Sequence, residues 1–243
     1  MAGRISYFGG IVTGDIVLNL DSAKIDSYPR EGSSWFDISG QRNVASLISS
    51  PIYTNEFGGL LTFDGTDEHA RIPPSPVFRN FTNATFSVWC RFSTLAKEDY
   101  LTMLAHSVES SNNFFWFFYD NIPASVHYRR FWVGWGNGTA RNYFRSNLFP
   151  VTTNTWYNMV WTFSNGSYVI YSNGVAIGSG SGLTTIAGSL TESVFLAGYR
   201  SALAPGVTFT FPGNLNQYLI YRKTLTPGEV LQNYNSTRTR YGV

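Results

Sequence analysis

Residues 155–180 read TWYNMVWTFSNGSYVIYSNGVAIGSG, three apolar runs broken at Asn165-Gly166 and Asn173-Gly174. Asn-Gly adopts positive φ at little steric cost, so each dipeptide marks a tight turn and the three runs form an antiparallel meander. Side chains alternate along a strand. In the first run Trp156, Val160 and Thr162 therefore fall on one side, and Tyr157, Met159, Trp161 and Phe163 on the other. Both sides carry large rings. A strand of this kind is either covered on both faces or offers aromatics to a partner.

Working outward, the same pattern fills the chain. Strand patterns run over 16–20, 60–63, 69–72, 85–92, 100–104, 114–119, 126–134, 141–145, 193–198, 207–211 and 217–221, with turn signals such as FDGTDEH, YDNIP, GWGNGTA and LAPG between them. Short strands without βαβ alternation point to an all-β sandwich or barrel. One helix is expected near the end. Thr226-Pro227-Gly228-Glu229 is a capping box with proline at the first helical position, and Val230, Leu231 and Tyr234 follow at helical spacing as an apolar stripe to lay on the sandwich.

Composition narrows the function classes. The 243 residues contain no Pro/Ser-rich linker or charge block, and all-β sandwiches of this length commonly form one domain. Charged residues make up 13% and aromatics 17%, so the surface is polar but weakly charged. A formal charge of +2 is too mild for nucleic-acid binding, which needs a concentrated basic face. The single cysteine excludes an intrachain disulfide. It stands in FSVWCRF, where Phe86, Val88, Cys90 and Phe92 share a face, and reads as a buried, inert thiol. The opening MAGRISYFGG has no apolar stretch of signal-peptide length and no segment approaches membrane-spanning length, so folding in a cytoplasm and no membrane partner are expected. Five Asn-x-Ser/Thr triplets, at Asn80, Asn83, Asn137, Asn165 and Asn235, then read as by-products of turn composition rather than glycan acceptors.

A resemblance adds to this reading. GDIVLNLDSAKIDSYP, SSWFDISG, GGLLTFDGTDEHARIP, FTNATFSVWCRF, NTWYNMVWTF, YVIYSNG, VFLAGYR and FPGNLNQYLIYRKTLTPGEVLQNYN resemble, in order, the blocks of the laminin G-like branch of the concanavalin A-like lectin/glucanase jelly rolls. The likeness covers residues 14–243 and implies an antiparallel two-sheet jelly-roll sandwich. The first residues, MAGRISYFGGIVTGDIVLNLDSAKIDSYP, are similar to the beginnings of tailed-bacteriophage structural proteins.

That superfamily includes glycoside hydrolases. Retaining glucanases of the fold aim acids into a groove from alternating positions of one strand. No two carboxylates here are separated by one residue, and the histidines are scattered without metal-ligand spacing, so no catalytic residue is expected. The resemblance implies a calcium ion at the sandwich rim, for which Asp64, Asp67 and Glu68 in FDGTDEH supply hard oxygen donors; the alternative is a solvated turn closed by Asp64.

Residues 126–147, VHYRRFWVGWGNGTARNYFRSN, form the expected contact surface: a hairpin with Tyr128, Arg130 and Trp132 on one face and His127, Arg129, Phe131 and Val133 on the other. Tyr128, Arg130, Trp132, Trp135 and Asn137 are the candidate binding residues. Their aromatic planes suit sugar rings, and the arginines, with Arg141 and Arg145, suit carboxylates; a core face plus a solvated cationic face is the alternative. Residues 1–13 are too short to fold alone but apolar, and read either as an arm that anchors the sandwich to a virion partner or symmetry mate, or as part of the chain's own sheet. The function expected is a non-enzymatic bacteriophage virion protein, such as a capsid decoration, head fibre or tail fibre subunit, present in many copies or as a homo-oligomer and adhering to glycans. A free carbohydrate-binding module is the alternative, and a hydrolase explains only the fold.

Overall fold

The computed structural model describes residues 10–106, 112–199 and 209–243. Among these residues sixteen strands form two antiparallel sheets: β1 (Ile16–Asp21), β2 (Ser34–Phe36), β3 (Val44–Ile48), β4 (Ile52–Thr54), β5 (Leu60–Asp64), β6 (His69–Ile72), β7 (Asn83–Phe92), β8 (Tyr100–His106), β9 (Phe115–Asp120), β10 (Arg130–Gly136), β11 (Arg141–Arg145), β12 (Trp156–Ser164), β13 (Ser167–Ser172), β14 (Val175–Ser181), β15 (Val194–Leu196) and β16 (Pro212–Tyr221). The first sheet runs β14-β13-β12-β7-β16-β5-β4, with β1 also on β16; the second runs β11-β10-β9-β8-β15-β6-β3-β2. This is the jelly-roll sandwich, and helix α1 (Pro227–Tyr241) closes the chain. No helix among the described residues is long and apolar enough to cross a membrane.

The meander of 155–180 is β12, β13 and β14. Asn165 (φ 42°) and Gly166 (φ 92°) make one turn, and Asn173 (φ 50°) and Gly174 (φ 80°) the other, the paired left-handed residues that a two-residue hairpin requires. Tyr157, Met159, Trp161 and Phe163 enter the core between the sheets. On the reverse side Val160 lies in a second apolar cluster with Tyr171, Leu219, Tyr221, Leu225 and Val230, and Trp156 lies in a third with Leu60, Trp89 and Tyr241. The strand is thus covered on both faces. In β7 Phe86, Val88, Cys90 and Phe92 share the inter-sheet core, and burial pushes the Cys90 thiol far above its ordinary range, leaving it protonated.

Helix α1 makes the reverse-side cover. The Thr226 hydroxyl accepts from the Glu229 amide while Glu229 accepts from the Thr226 amide, Pro227 follows, and Gly242 ends the helix in the left-handed region at φ 72°. Its buried residues are Val230, Asn233, Thr237 and Tyr241; of the expected stripe Val230 is buried and Tyr234 stacks on Trp89 at 5.8 Å, while Leu231 is 45% exposed. Polar residues hold that face: Thr237 accepts from Trp89 Nε1 at 3.0 Å, Asn233 donates to the Tyr221 hydroxyl at 3.0 Å, and Arg240 grips buried Asp21 at 2.7 and 3.1 Å. Trp89 also stacks on Tyr241 at 4.0 Å between centroids.

Residues 10–13 close the other end of this cover. Ile11 and Val12 pack on the cluster under α1, the Val12 amide donates to Asn233 at 2.8 Å, and the Tyr221 hydroxyl donates to the Val12 carbonyl at 2.9 Å. This part of the expected arm docks on its own chain, without joining a sheet; residues 1–9 lie outside the described residues.

Several element expectations need correction. Residues 126–129 are turn, not strand: the Tyr128 amide bonds the Ser125 carbonyl and Arg129 takes φ 61°, so β10 starts at Arg130. Residues 209–211 are not strand, and β16 starts with Pro212, an initial position at which a missing N–H is tolerated; residues 207 and 208 lie outside the described residues. The strand expected over 193–198 stops at Leu196 because Ala197 sits at φ 64°. Strands β2, β3 and β4, three to five residues each, carry too little periodicity to be read from sequence.

Candidate functional site

The two outer faces of the sandwich differ. The first sheet's back is packed under α1 and residues 10–13. The second sheet's back presents rings. On β9 Phe115, Phe117 and Tyr119 enter the core, which turns Trp116 and Phe118 outward; on β10 Phe131, Val133 and Trp135 enter it, which turns Arg130, Trp132 and Gly134 outward.

Register then assembles rows across the strands. Thr102, Phe118, Trp132 and Arg145 pair in succession from β8 to β11, and Ala105, Trp116, Gly134 and Tyr143 form the next row. Trp132 stacks on Phe118 at 5.7 Å and 16°. Trp116 lies 6.2 Å from Phe118, 6.0 Å from Tyr143 and 4.9 Å from Tyr199. Tyr100 adds a ring 4.8 Å from Phe118. Gly134 is needed here because the Tyr143 ring lies over it: a Cβ at that position would stand 2.9 Å from Tyr143 Cδ1. Trp116, Trp132 and Tyr143 are half-buried, packed to one another yet reachable. The indole N–H groups of Trp116 and Trp132 are enclosed without a hydrogen-bond partner among the described residues. Such a stretch of partly open rings is rare on a surface that has no partner.

Positive charge borders the rings. The Arg145 guanidinium lies over Trp132, 5.6 Å from its centroid, and Arg130 donates to the Ser146 carbonyl at 3.0 Å. His127 meets Trp132 edge-on at 5.0 Å. Burial first, then the charge of Arg145 and more weakly that of Arg130, holds His127 below its ordinary value against the opposing charge of Asp120. The acids nearby are engaged locally. Asp120 accepts from the Ile122 amide at 3.1 Å and the Ser125 hydroxyl at 2.7 Å, and Asp99 accepts from the Tyr100 amide at 2.8 Å and faces Lys97 at 3.7 Å. Asp120 serves a turn, and Asp99 an ion pair.

The sequence-derived binding residues divide. Trp132 and Arg130 stand on the aromatic face. Tyr128 lies in the preceding turn beneath the Arg129 guanidinium, 4.9 Å away. Trp135 is fully buried in the inter-sheet core, its Nε1 donating to the Leu183 carbonyl at 2.9 Å, so it is a core residue and not a contact residue. Asn137 organises the hairpin loop, its Oδ1 accepting from the Thr139 amide and hydroxyl and the Ala140 amide. The sequence reading missed Trp116, Phe118, Tyr143 and Tyr199. Alternation in 115–120 contains the signal for the first two, but only cross-strand register shows that they continue the Trp132 surface.

In the 64–68 loop, Asp64 accepts from the Thr66 amide at 2.7 Å, Glu68 accepts from the Asp64 amide at 2.8 Å, and Asp67 accepts from the Ser49 hydroxyl at 2.9 Å. Burial raises the Asp64 carboxyl, but the amides of Thr66, Glu68 and Asp67 outweigh it and hold it low; burial and the charges of Asp64 and Asp67 hold Glu68 high. Among the described residues no three His, Cys, Asp or Glu gather as a metal-holding group. The loop's donors close a turn.

A jelly roll with one covered back and one aromatic back is a lectin-like architecture. The family model of the concanavalin A-like lectin/glucanases superfamily matches residues 64–231, and the chain belongs to that superfamily. Similar solved structures include the binding domain of Paraclostridial Mosquitocidal Protein 1, 14% identical with a TM-score of 0.69, covering 92% of this chain and 52% of that one. Another is domain 4 of AbnA, a GH43 extracellular arabinanase from Geobacillus stearothermophilus in complex with arabinotriose, 16% identical with a TM-score of 0.66, covering 90% and 98%. A third is the botulinum neurotoxin serotype D ligand binding domain in complex with N-acetylneuraminic acid, 11% identical with a TM-score of 0.66, covering 92% and 51%. The chain therefore spans about half of these toxin domains and nearly all of the arabinanase domain. At such identities the likeness shows the fold alone. No curated protein matches the sequence.

Proposed function

We propose that the chain is a non-catalytic carbohydrate-binding module that docks saccharide rings on the outer face of β8 to β11. The carrying observation is the partly open set of Trp116, Trp132 and Tyr143 around buried Phe118 on one sheet back, while the opposite back is packed under α1 and residues 10–13. Aromatic planes give a sugar's apolar face a large, rigid contact at low entropic cost, and the bordering polar groups supply orientation. The saccharide complexes named for two of the similar structures support this reading. Local engagement of Asp99 and Asp120 leaves the face without the opposed acid and base that glycoside cleavage needs, so binding without turnover is the outcome expected.

The setting we propose is a multi-copy structural protein of a tailed-bacteriophage particle. It rests on the resemblance of the opening residues and on the avidity that many copies would lend a weak saccharide contact. Mass spectrometry of purified particles tests that setting: finding the chain in stoichiometric amount supports it, and absence removes it while leaving the binding module in place.

The module itself is tested on an array of neutral, carboxylated and sulfated oligosaccharides, followed by calorimetry with the best binder. Trp132→Ala and Trp116→Ala are each expected to weaken binding at least about tenfold, near 1.4 kcal/mol, with the fold retained. Undiminished affinity in both variants would contradict the assignment of this face.

A further inference from the structure

Building on the carbohydrate-binding reading, we infer that the saccharide recognised by this face carries a carboxylate. In a chain with 13% charged residues, four arginines fall within 126–147, and two of them flank the central ring of the aromatic face. Arg145 is the cross-strand neighbour of Trp132 and lies over its ring; Arg130 is on the same strand and the same side, two residues before Trp132. Neither forms an ion pair with an acidic residue among the described residues, in contrast to Arg91 with Glu56 and Arg240 with Asp21.

One carboxylate stands close, that of Asp120, opposite Arg130 in the ladder. It is buried and accepts from the Ile122 amide and the Ser125 hydroxyl. It is one carboxylate against two guanidiniums, and of these Arg145 is exposed.

A positive border beside a half-buried indole has one fitting complement. A neutral sugar uses the ring and leaves the guanidiniums to water. A uronic or nonulosonic acid packs against the open edge of the Phe118–Trp132–Arg145 row and turns its carboxylate to a guanidinium fork, which matches a carboxylate in charge and bidentate geometry. The pairing is partly open to solvent, so it contributes selectivity and salt dependence more than affinity.

Calorimetry with oligogalacturonate and with sialyllactose, each beside its own methyl ester, separates charge from shape. At least one acid is expected to bind the wild-type protein at least about tenfold more tightly than its ester, with the advantage shrinking as sodium chloride rises from 20 to about 200 mM. Arg145→Met and Arg130→Met, with unchanged melting midpoints, are expected to remove that preference and retain the weaker binding of the ester. If esters bind as tightly as acids and Trp132→Ala abolishes both, the carboxylate inference is overturned and the module reading stands. A response confined to sulfated glycans likewise overturns it. If no array glycan binds, both readings fall.

Discussion

Trp132 and Trp135 stand three residues apart on β10, an odd step, and therefore face opposite sides of the sheet. The sequence shows two tryptophans in one hairpin; it does not show which side is the core until the neighbouring strands are in place. Trp135→Ala is expected to cost about 3–5 kcal/mol by emptying a fully buried site, whereas Trp132→Ala removes chiefly a stacking partner of Phe118 and costs about 1 kcal/mol. Urea midpoints of the two variants check this, and equal losses would contradict the placement of the rings.

His106 carries a second prediction at this scale. It is buried, its Nε2 accepts from the Ser189 amide at 2.8 Å, and its other ring nitrogen therefore bears the proton and meets the Ser193 carbonyl at 3.2 Å. Burial lowers its pKa to about 4 from an ordinary 6.5, although the two backbone contacts oppose that shift. Below pH 6.5 the unfolded chain takes up this proton before the folded one does. Stability is therefore complete above pH 6.5 and falls as the pH drops to about 4, by roughly 3 kcal/mol in all. Against His106→Gln, the wild-type advantage in melting midpoint should shrink across that window; a constant difference would contradict it. The scattered histidines in the sequence gave no sign of this role, because burial and not spacing creates it.

At the scale of elements, the long alternating segments and the short β5 and β6 were legible, and β2 to β4 were not. The meander, β7 and the capped helix follow from Asn-Gly turns, alternation and a Thr-Pro-Gly-Glu start. β2 to β4 are too short to declare a period. The polar part of the face of α1 escaped sequence reading: Asn233 and Thr237 are buried beside Val230 and Tyr241, because the helix packs on a sheet back that offers the Trp89 indole N–H and the Tyr221 hydroxyl as well as apolar surface. Capping sets where this cover begins. Thr226→Ala is expected to cost about 1 kcal/mol by leaving the Glu229 amide without its acceptor. A melting midpoint unchanged from wild type would show that packing alone fixes the helix.

At the scale of the whole molecule, the account is one of asymmetry. A single sandwich buries rings between its sheets, closes one back with a helix and the residues just before β1, and keeps rings in reach on the other back. The high aromatic content was plain in the sequence, but the division of those rings among core, covered back and open back depends on sheet order, which links β8, β9, β10 and β11 side by side. The candidate residues read from one hairpin are accordingly scattered: Trp132 and Arg130 lie on the open back and Tyr128 in the turn before it, while Trp135 serves the core and Asn137 the loop.

Hydrogen–deuterium exchange with and without a saturating bound oligosaccharide tests the central claim most directly. The account predicts added protection concentrated in β8 to β11, with β12 to β14 and α1 unchanged. Protection confined to the 64–68 rim loop or to the edge strand β14, with β9 and β10 unaffected, would contradict it.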